Sequence, residues 1–220
     1  MEKEVGEIRM ETNDTLKFER NPLWEELMCY YSCAIMEVET KFKVLDRQFS
    51  LEHERNPIVD IQSRLKSPES LLDKLERRGY ERSLNSIEEN IFDVAGVRIV
   101  TSFIDDVYML GDCLVKQDDV KLLRRKDYIE NPKENGYRSL HLIIETPIFL
   151  RNGKKMMKVE VQLRTIAMEF WANLDHKLRY KKDMEPNLLK MTTAELTECA
   201  ALSAQLDNRM QSIRNVIDNI

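Results

Sequence analysis

From Asn21 onward the apolar side chains Trp24, Leu27, Tyr31, Ile35, Val38, Phe42, Leu45 and Phe49 recur every three or four residues. That spacing predicts one long amphipathic helix with a continuous stripe for burial, and Asn56-Pro57 ends it. Residues before it look frayed. Ile58 to Lys66 largely alternates, which predicts a short strand with Arg64 and Lys66 pointing the same way. Ser67-Pro68-Glu69-Ser70 opens a second helix, with Ser67 as N-cap, Pro68 in the first helical position and Ser70 in the first turn. The β-branched run Val97 to Phe103 reads as a central strand. Asp105 is expected to cap a following helix through Val107, Leu110 and Leu114, and Val120 to Lys126 is the next strand.

The stretch from Asp127 to Tyr137 carries turn chemistry at Asn131-Pro132 and Asn135-Gly136, so it predicts a loop. Ser139 to Thr146 reads as a strand. Arg151-Asn152-Gly153-Lys154 should turn the chain into the strand Lys158 to Arg164, making these two strands antiparallel neighbours. A helix with little polar face starts near Ile166. Beyond Pro186, Leu196, Cys199, Leu202, Leu206, Met210, Ile213, Ile217 and Ile220 form another stripe, fit for a helical hairpin or a subunit seam. The expected architecture is α/β (α+β), a mixed sheet of about five strands flanked by helices. It divides into a helical extension over 1–54, a central domain over 55–182 and a C-terminal helical segment over 183–220.

Composition fits an ordinary globular chain: 220 residues, 42% hydrophobic, 33% charged, with six Gly and six Pro. The net charge of -5 provides no global attraction to nucleic acid or to an anionic membrane, although cations cluster locally. Met1 to Lys17 has no apolar run, which points to a cytoplasmic protein without a membrane span. The four cysteines form no CxxC pair, so reduced and mostly buried thiols are expected rather than a zinc site.

The densest polar chemistry lies in the strand Lys158 to Arg164. Val159, Val161 and Leu163 alternate with Glu160, Gln162 and Arg164, which aligns a carboxylate, an amide and a guanidinium on one side. Read by itself, such a row is also an ordinary solvent-facing stripe. The helix start at Ser67 adds free backbone N–H groups beside Arg64, Lys66, Ser70 and Lys74, a setting suited to a polyphosphate. Asp93, between apolar neighbours and close to Gly96, is either a turn cap or a metal ligand. Lys126, Lys133 and Tyr137 place cations and a ring around one loop, as a nucleotide would need. His141 shares the polar side of its strand with Ser139.

Taken together, Arg64-x-Lys66-x-x-x-Ser70, Asp93-x-Ala95-Gly96-x-Arg98, Arg125-Lys126-Asp127-Tyr128, Lys133-x-Asn135-Gly136-Tyr137-Arg138-Ser139-Leu140-His141 and Glu160-x-Gln162-x-Arg164-Thr165 resemble the synthetase motifs of the Rel/Spo family. The resemblance runs from about residue 55 to 182. It implies a nucleotidyltransferase-like synthetase fold and a Mg²⁺-dependent transfer of pyrophosphate from ATP to the ribose 3′-hydroxyl of GDP or GTP, giving the alarmones (p)ppGpp and AMP. It further implies Asp93 and Glu160 at the metal, with Glu160 alternatively taking the hydroxyl proton. Arg64 and Arg98 would flank the adenine, while Lys66, Ser70 and Lys74 meet the ATP phosphates. Tyr137 would stack on guanine, and Lys126, Lys133, Asn135, His141 and Gln162 would hold the acceptor. The short chain resembles the small, single-domain members, which are homotetramers. Long members add a hydrolase built on a His-Asp metal site, whereas this chain has only His53, His141 and His176 and no His-Asp dipeptide.

Two rivals follow from the same residues. One is the same chemistry on the 3′ end of tRNA, served by Lys121, Arg124, Arg125 and Arg138. The acidic net charge disfavours it. The other is a silent nucleotide-binding regulator, disfavoured by the presence of both carboxylates.

Overall fold

The computed structural model describes residues 21–52, 55–179 and 185–219. The expected frayed start, His53 and Ile220 lie outside these residues. Helix α1 (Pro22–Glu52) leads to β1 (Ile58–Leu65), α2 (Pro68–Arg77), α3 (Leu84–Asn90) and β2 (Ala95–Thr101). Then come α4 (Ile104–Val115), β3 (Lys121–Asp127), β4 (Leu140–Leu150), β5 (Gly153–Thr165), α5 (Ile166–Arg179) and α6 (Pro186–Ile217). The five strands form one mixed sheet in the order β1-β2-β5-β4-β3, with β2 and β5 parallel and the other pairs antiparallel. The α+β architecture expected from the alternating segments is present.

The alternation along β5 sorts its side chains as the pattern requires. Val159, Val161 and Leu163 are fully buried, while Glu160 and Gln162 on the other face are partly exposed. The buried face joins Leu140, Leu142 and Ile144 of β4 and Val97 and Ile99 of β2. Over it lie α1, through Tyr31, Val38 and Phe42, and α4, through Val107, Leu110 and Leu114. Gly111 lets α4 approach closely, since a Cβ there would stand 3.1 Å from Leu140 Cδ2. Truncating a fully buried leucine in this layer to alanine removes roughly 2–5 kcal/mol of stability. The residues of α1 belong to the same cluster as the strands, so the long first helix is part of the central core rather than an appendage to it.

Several local details differ from the sequence pattern. Helix α4 begins at Ile104, and Asp106 rather than Asp105 closes its start, accepting from the Phe103 backbone N–H at 3.2 Å. Helix α3, capped by Ser83, is too short to show a period. Strand β4 runs on to Leu150 through Pro147. That is tolerated because β3 stops opposite Glu145 and offers no ladder there. None of the thiols is buried: Cys29 and Cys199 are exposed, and Cys33 and Cys113 are intermediate. On α5, Met168 and Trp171 are buried but Ile166, Phe170 and Leu174 are exposed, so that helix is apolar without being enclosed.

Candidate active site

The polar face of the sheet is the floor of a cavity of about 800 Å³, and α5 forms one wall. Its lining includes Arg64 of β1, Asp93, Arg98 of β2, Lys126 of β3, His141 of β4 and Glu160, Gln162 and Arg164 of β5. Lys133 and Tyr137 come from the loop between β3 and β4. A smaller recess of about 130 Å³ shares Arg64, Asp93, Arg98, Glu160 and Gln162. Parallel pairing of β2 with β5 sets Arg98 beside Gln162, and antiparallel pairing of β4 sets His141 across the same residue. Five strands thus deliver side chains that are distant in sequence to one surface.

Helix α2 has the predicted cap, with Ser67 Oγ accepting from Ser70 N and Pro68 in the first turn. Lys66, just after β1, and Lys74, on α2, both reach Asp93. Their ammonium groups lie 3.0 Å from Oδ2 and 2.6 Å from Oδ1. Burial pushes the Asp93 carboxyl up, but the two lysines outweigh it and hold it below the ordinary aspartate value. Burial in turn lowers the Lys74 ammonium. Lys66 and Lys74 therefore stand one layer behind the cavity wall. Ser70 and Asn135 also lie off the wall: the Ser70 hydroxyl accepts from Ser67, and the Asn135 amide donates to Asp175 at 3.4 Å.

Glu160 is held differently. Gln162 Nε2 donates to its Oε2 at 2.8 Å, and His141 Nδ1 lies 3.2 Å from its Oε1. Arg164 donates to Gln162 Oε1 at 2.7 Å and to the Tyr137 hydroxyl at 2.5 Å. The Tyr137 oxygen is 2.8 Å from His141 Nε2. These contacts assign one consistent pattern: the Tyr137 O–H donates to Nε2, so Nδ1 carries the proton and donates to Glu160. Burial lowers the His141 pKa despite Glu160, which keeps the ring neutral near pH 7. Burial acts to raise the Glu160 carboxyl, yet the bonds from His141 and Gln162 prevail and it stays ionised.

Two participants were given no role by the sequence pattern. Glu169 of α5, 8% exposed, accepts from Arg98 at 2.9 Å and from Arg164 at 2.8 Å, so one carboxylate orients both arginines. It sits five residues past Arg164, and its role depends on how α5 leaves the sheet. Tyr128 packs edge-on against Tyr137 and His141, with the Lys133 ammonium 4.7 Å from its ring and 4.5 Å from that of Tyr137. Ring, cation and loop are thereby gathered at one end of the cavity.

Among the described residues no three acidic, histidine or cysteine side chains cluster as a preformed metal cage. The pair Asp93 and Glu160, both ionised and both lining the two cavities, fits instead the habit of Mg²⁺, which takes one or two carboxylates and completes its shell with phosphate oxygens and water.

The model of the region found in RelA / SpoT proteins matches residues 63–185. The GTP pyrophosphokinase YwaC of Bacillus subtilis is 43% identical over 195 residues, which cover 89% of this chain and 92% of that one. The crystal structure of the Bacillus subtilis small alarmone synthetase 1 bound to its product pppGpp superposes with a TM-score of 0.81 at 32% identity, covering 90% of this chain and all of that one. The same synthetase bound to AMPCPP aligns with a TM-score of 0.74 at 29% identity over 91% of this chain and all of the other. A family region spanning the whole cavity, a full-length relative and a shared fold agree that the chain belongs to the RelA/SpoT family.

Proposed function

We propose that this chain is a (p)ppGpp synthetase that transfers the β,γ-pyrophosphoryl group of ATP to the ribose 3′-hydroxyl of GDP or GTP, releasing AMP. The observation that carries the reading is the meeting of Asp93 and Glu160 in one cation-lined cavity, between a Lys66–Lys74 side and a Lys133–Tyr137 side. The names and ligands of the relatives fit it. The donor occupies the first side: Arg64 and Arg98 flank the adenine, and Lys66 and Lys74 turn from Asp93 toward phosphate oxygens, with Ser70 at the helix start. The acceptor occupies the second side. There Tyr137 offers its ring to guanine once Lys133 moves from that face toward the phosphates, and Lys126, His141 and Gln162 surround the nucleotide, with Asn135 behind them holding the loop to Asp175.

Asp93 and Glu160 would hold Mg²⁺, which supplies charge neutralisation for the polyphosphate and fixes its oxygens for in-line displacement. The neutral His141 keeps Glu160 ionised and aimed into the cavity, where it accepts a hydrogen bond from the 3′-hydroxyl or takes its proton. The oxygen of that hydroxyl bonds to the β-phosphorus as the bond to the α-phosphate oxygen of AMP breaks.

The protein is expected to act in the cytoplasm and as a homotetramer. The support for assembly is an apolar groove of about 760 Å³, lined by Phe103, Ile166, Phe170, Leu202, Leu206 and Met210, which a monomer leaves in water. No described helix is long and apolar enough to cross a membrane. Incubation with labelled ATP and, separately, GDP, GTP and deacylated tRNA tests the reading. AMP release with a labelled guanosine product supports it, whereas label on tRNA or binding without AMP release overturns it. Light scattering at working concentration tests the assembly, and a monomer would refute it.

A further inference from the structure

Helix α6 turns unlike faces in two directions. Cys199, Leu202, Leu206 and Met210 point outward, whereas Ala200, Ser203 and Asp207, spaced three and four apart, point into the domain. Asp207 is 6% exposed, and burial raises its carboxyl even though Thr165 and Arg138 are bonded to it. A buried ion pair such as Asp207 with Arg138 is weak evidence of a purely stabilising role, since well-packed apolar residues in place of both partners would hold the helix at least as well.

The partners of Asp207 lie on two segments that border the cavity. Its Oδ2 accepts from Thr165 Oγ1 at 2.8 Å and from Arg138 at 3.2 Å. Thr165 follows Arg164, and its hydroxyl oxygen also accepts from Met168 N at 3.2 Å, which fixes the first turn of α5 ahead of Glu169. Arg138 follows Tyr137. Two residues before it, Gly136 has φ +84°, and a Cβ there would come within 2.4 Å of Ala200 Cβ, so α6 lies directly on the loop. One carboxylate oxygen therefore joins the loop of Lys133 and Tyr137 to the end of the strand that carries Glu160, Gln162 and Arg164.

We propose that Asp207 is a positioning residue for the acceptor nucleotide, holding loop 133–139 against the end of β5 through Arg138 and Thr165. The proposal deepens the synthetase reading and rests on it for which nucleotide occupies this side.

Asp207→Asn, Arg138→Ala and the double variant test it, each assayed in turnover with ATP and GDP, by calorimetric titration with GDP alone, and by thermal unfolding. Both single variants should raise the GDP KM and Kd about tenfold, the scale of one lost charge-assisted hydrogen bond. The kcat at saturating GDP and the KM for ATP should move less than about threefold, and the double variant should be no worse than the poorer single one, as for a shared interaction. GDP affinity unchanged in both single variants, with only a lower melting temperature, would overturn the proposal. If Asp207→Asn fails to fold, Arg138→Ala decides from the loop side. A wild-type protein that binds GDP but makes no product overturns the synthetase reading, while the GDP titration still judges the clamp.

Discussion

Asp93 and Glu160 border the same cavity but are kept ionised by different means. Asp93 is faced by two ammonium groups on long, flexible stems, whereas Glu160 is faced by a neutral imidazole and an amide tied through Tyr137 and Arg164 into a closed network. Mobile counter-charges can be handed over to an incoming polyphosphate and its metal, and a rigid network preserves direction. The Lys66–Lys74 side is therefore built to exchange partners, and the His141–Tyr137 side to aim one carboxylate. Glu169 belongs to the fixed part of the site, since it accepts from both Arg98 and Arg164 and so holds the two guanidinium groups in place.

The sharpest way to break this comparison is Glu160→Gln, which keeps shape and removes charge. Turnover should fall by at least about two orders of magnitude, the scale of a positioned proton acceptor, with an unchanged melting temperature. Steady-state AMP release measures it, and near-normal turnover would remove Glu160 from the chemistry. Asp93→Asn should act more mildly, by about tenfold or more in kcat, with the GDP KM unaltered because the acceptor network is untouched. A large rise in GDP KM there would show that the two sides are not independent.

The smallest effect concerns Asp207, whose folded pKa lies above the ordinary value because of burial. An acid raised on folding contributes stability that is complete below the unfolded pKa of about 3.9 and is lost as pH rises through the folded one. Urea unfolding should therefore show Asp207→Asn gaining on the wild type as pH rises from about 4 to 7, since the amide cannot ionise. A wild type that instead gains on Asp207→Asn over that interval would contradict a costly buried charge.

Much of the fold and part of the site were legible in the chain. The stripe from Trp24 to Phe49, the Ser67-Pro68 cap and the alternation from Val159 to Arg164 each encode a local period or cap, and local geometry answers to local sequence. The ordered motifs around Asp93, Tyr137 and Glu160 carried the family resemblance, and those residues share one cavity. Glu169 and Asp207 were not legible, because a carboxylate on a helix looks the same in sequence whether it faces water or an arginine.

By itself, the sequence determined the longer elements, their polarity and the resemblance to the Rel/Spo family. Only the tertiary structure decided which charges meet. The parallel pairing of β2 with β5 sets Arg98 beside Gln162, and the packing of α6 on Gly136 brings Asp207 to Arg138. The physical reason is one of range: periodicity and capping act over a few residues, whereas ion pairing in a cavity depends on register and packing between segments that are tens of residues apart.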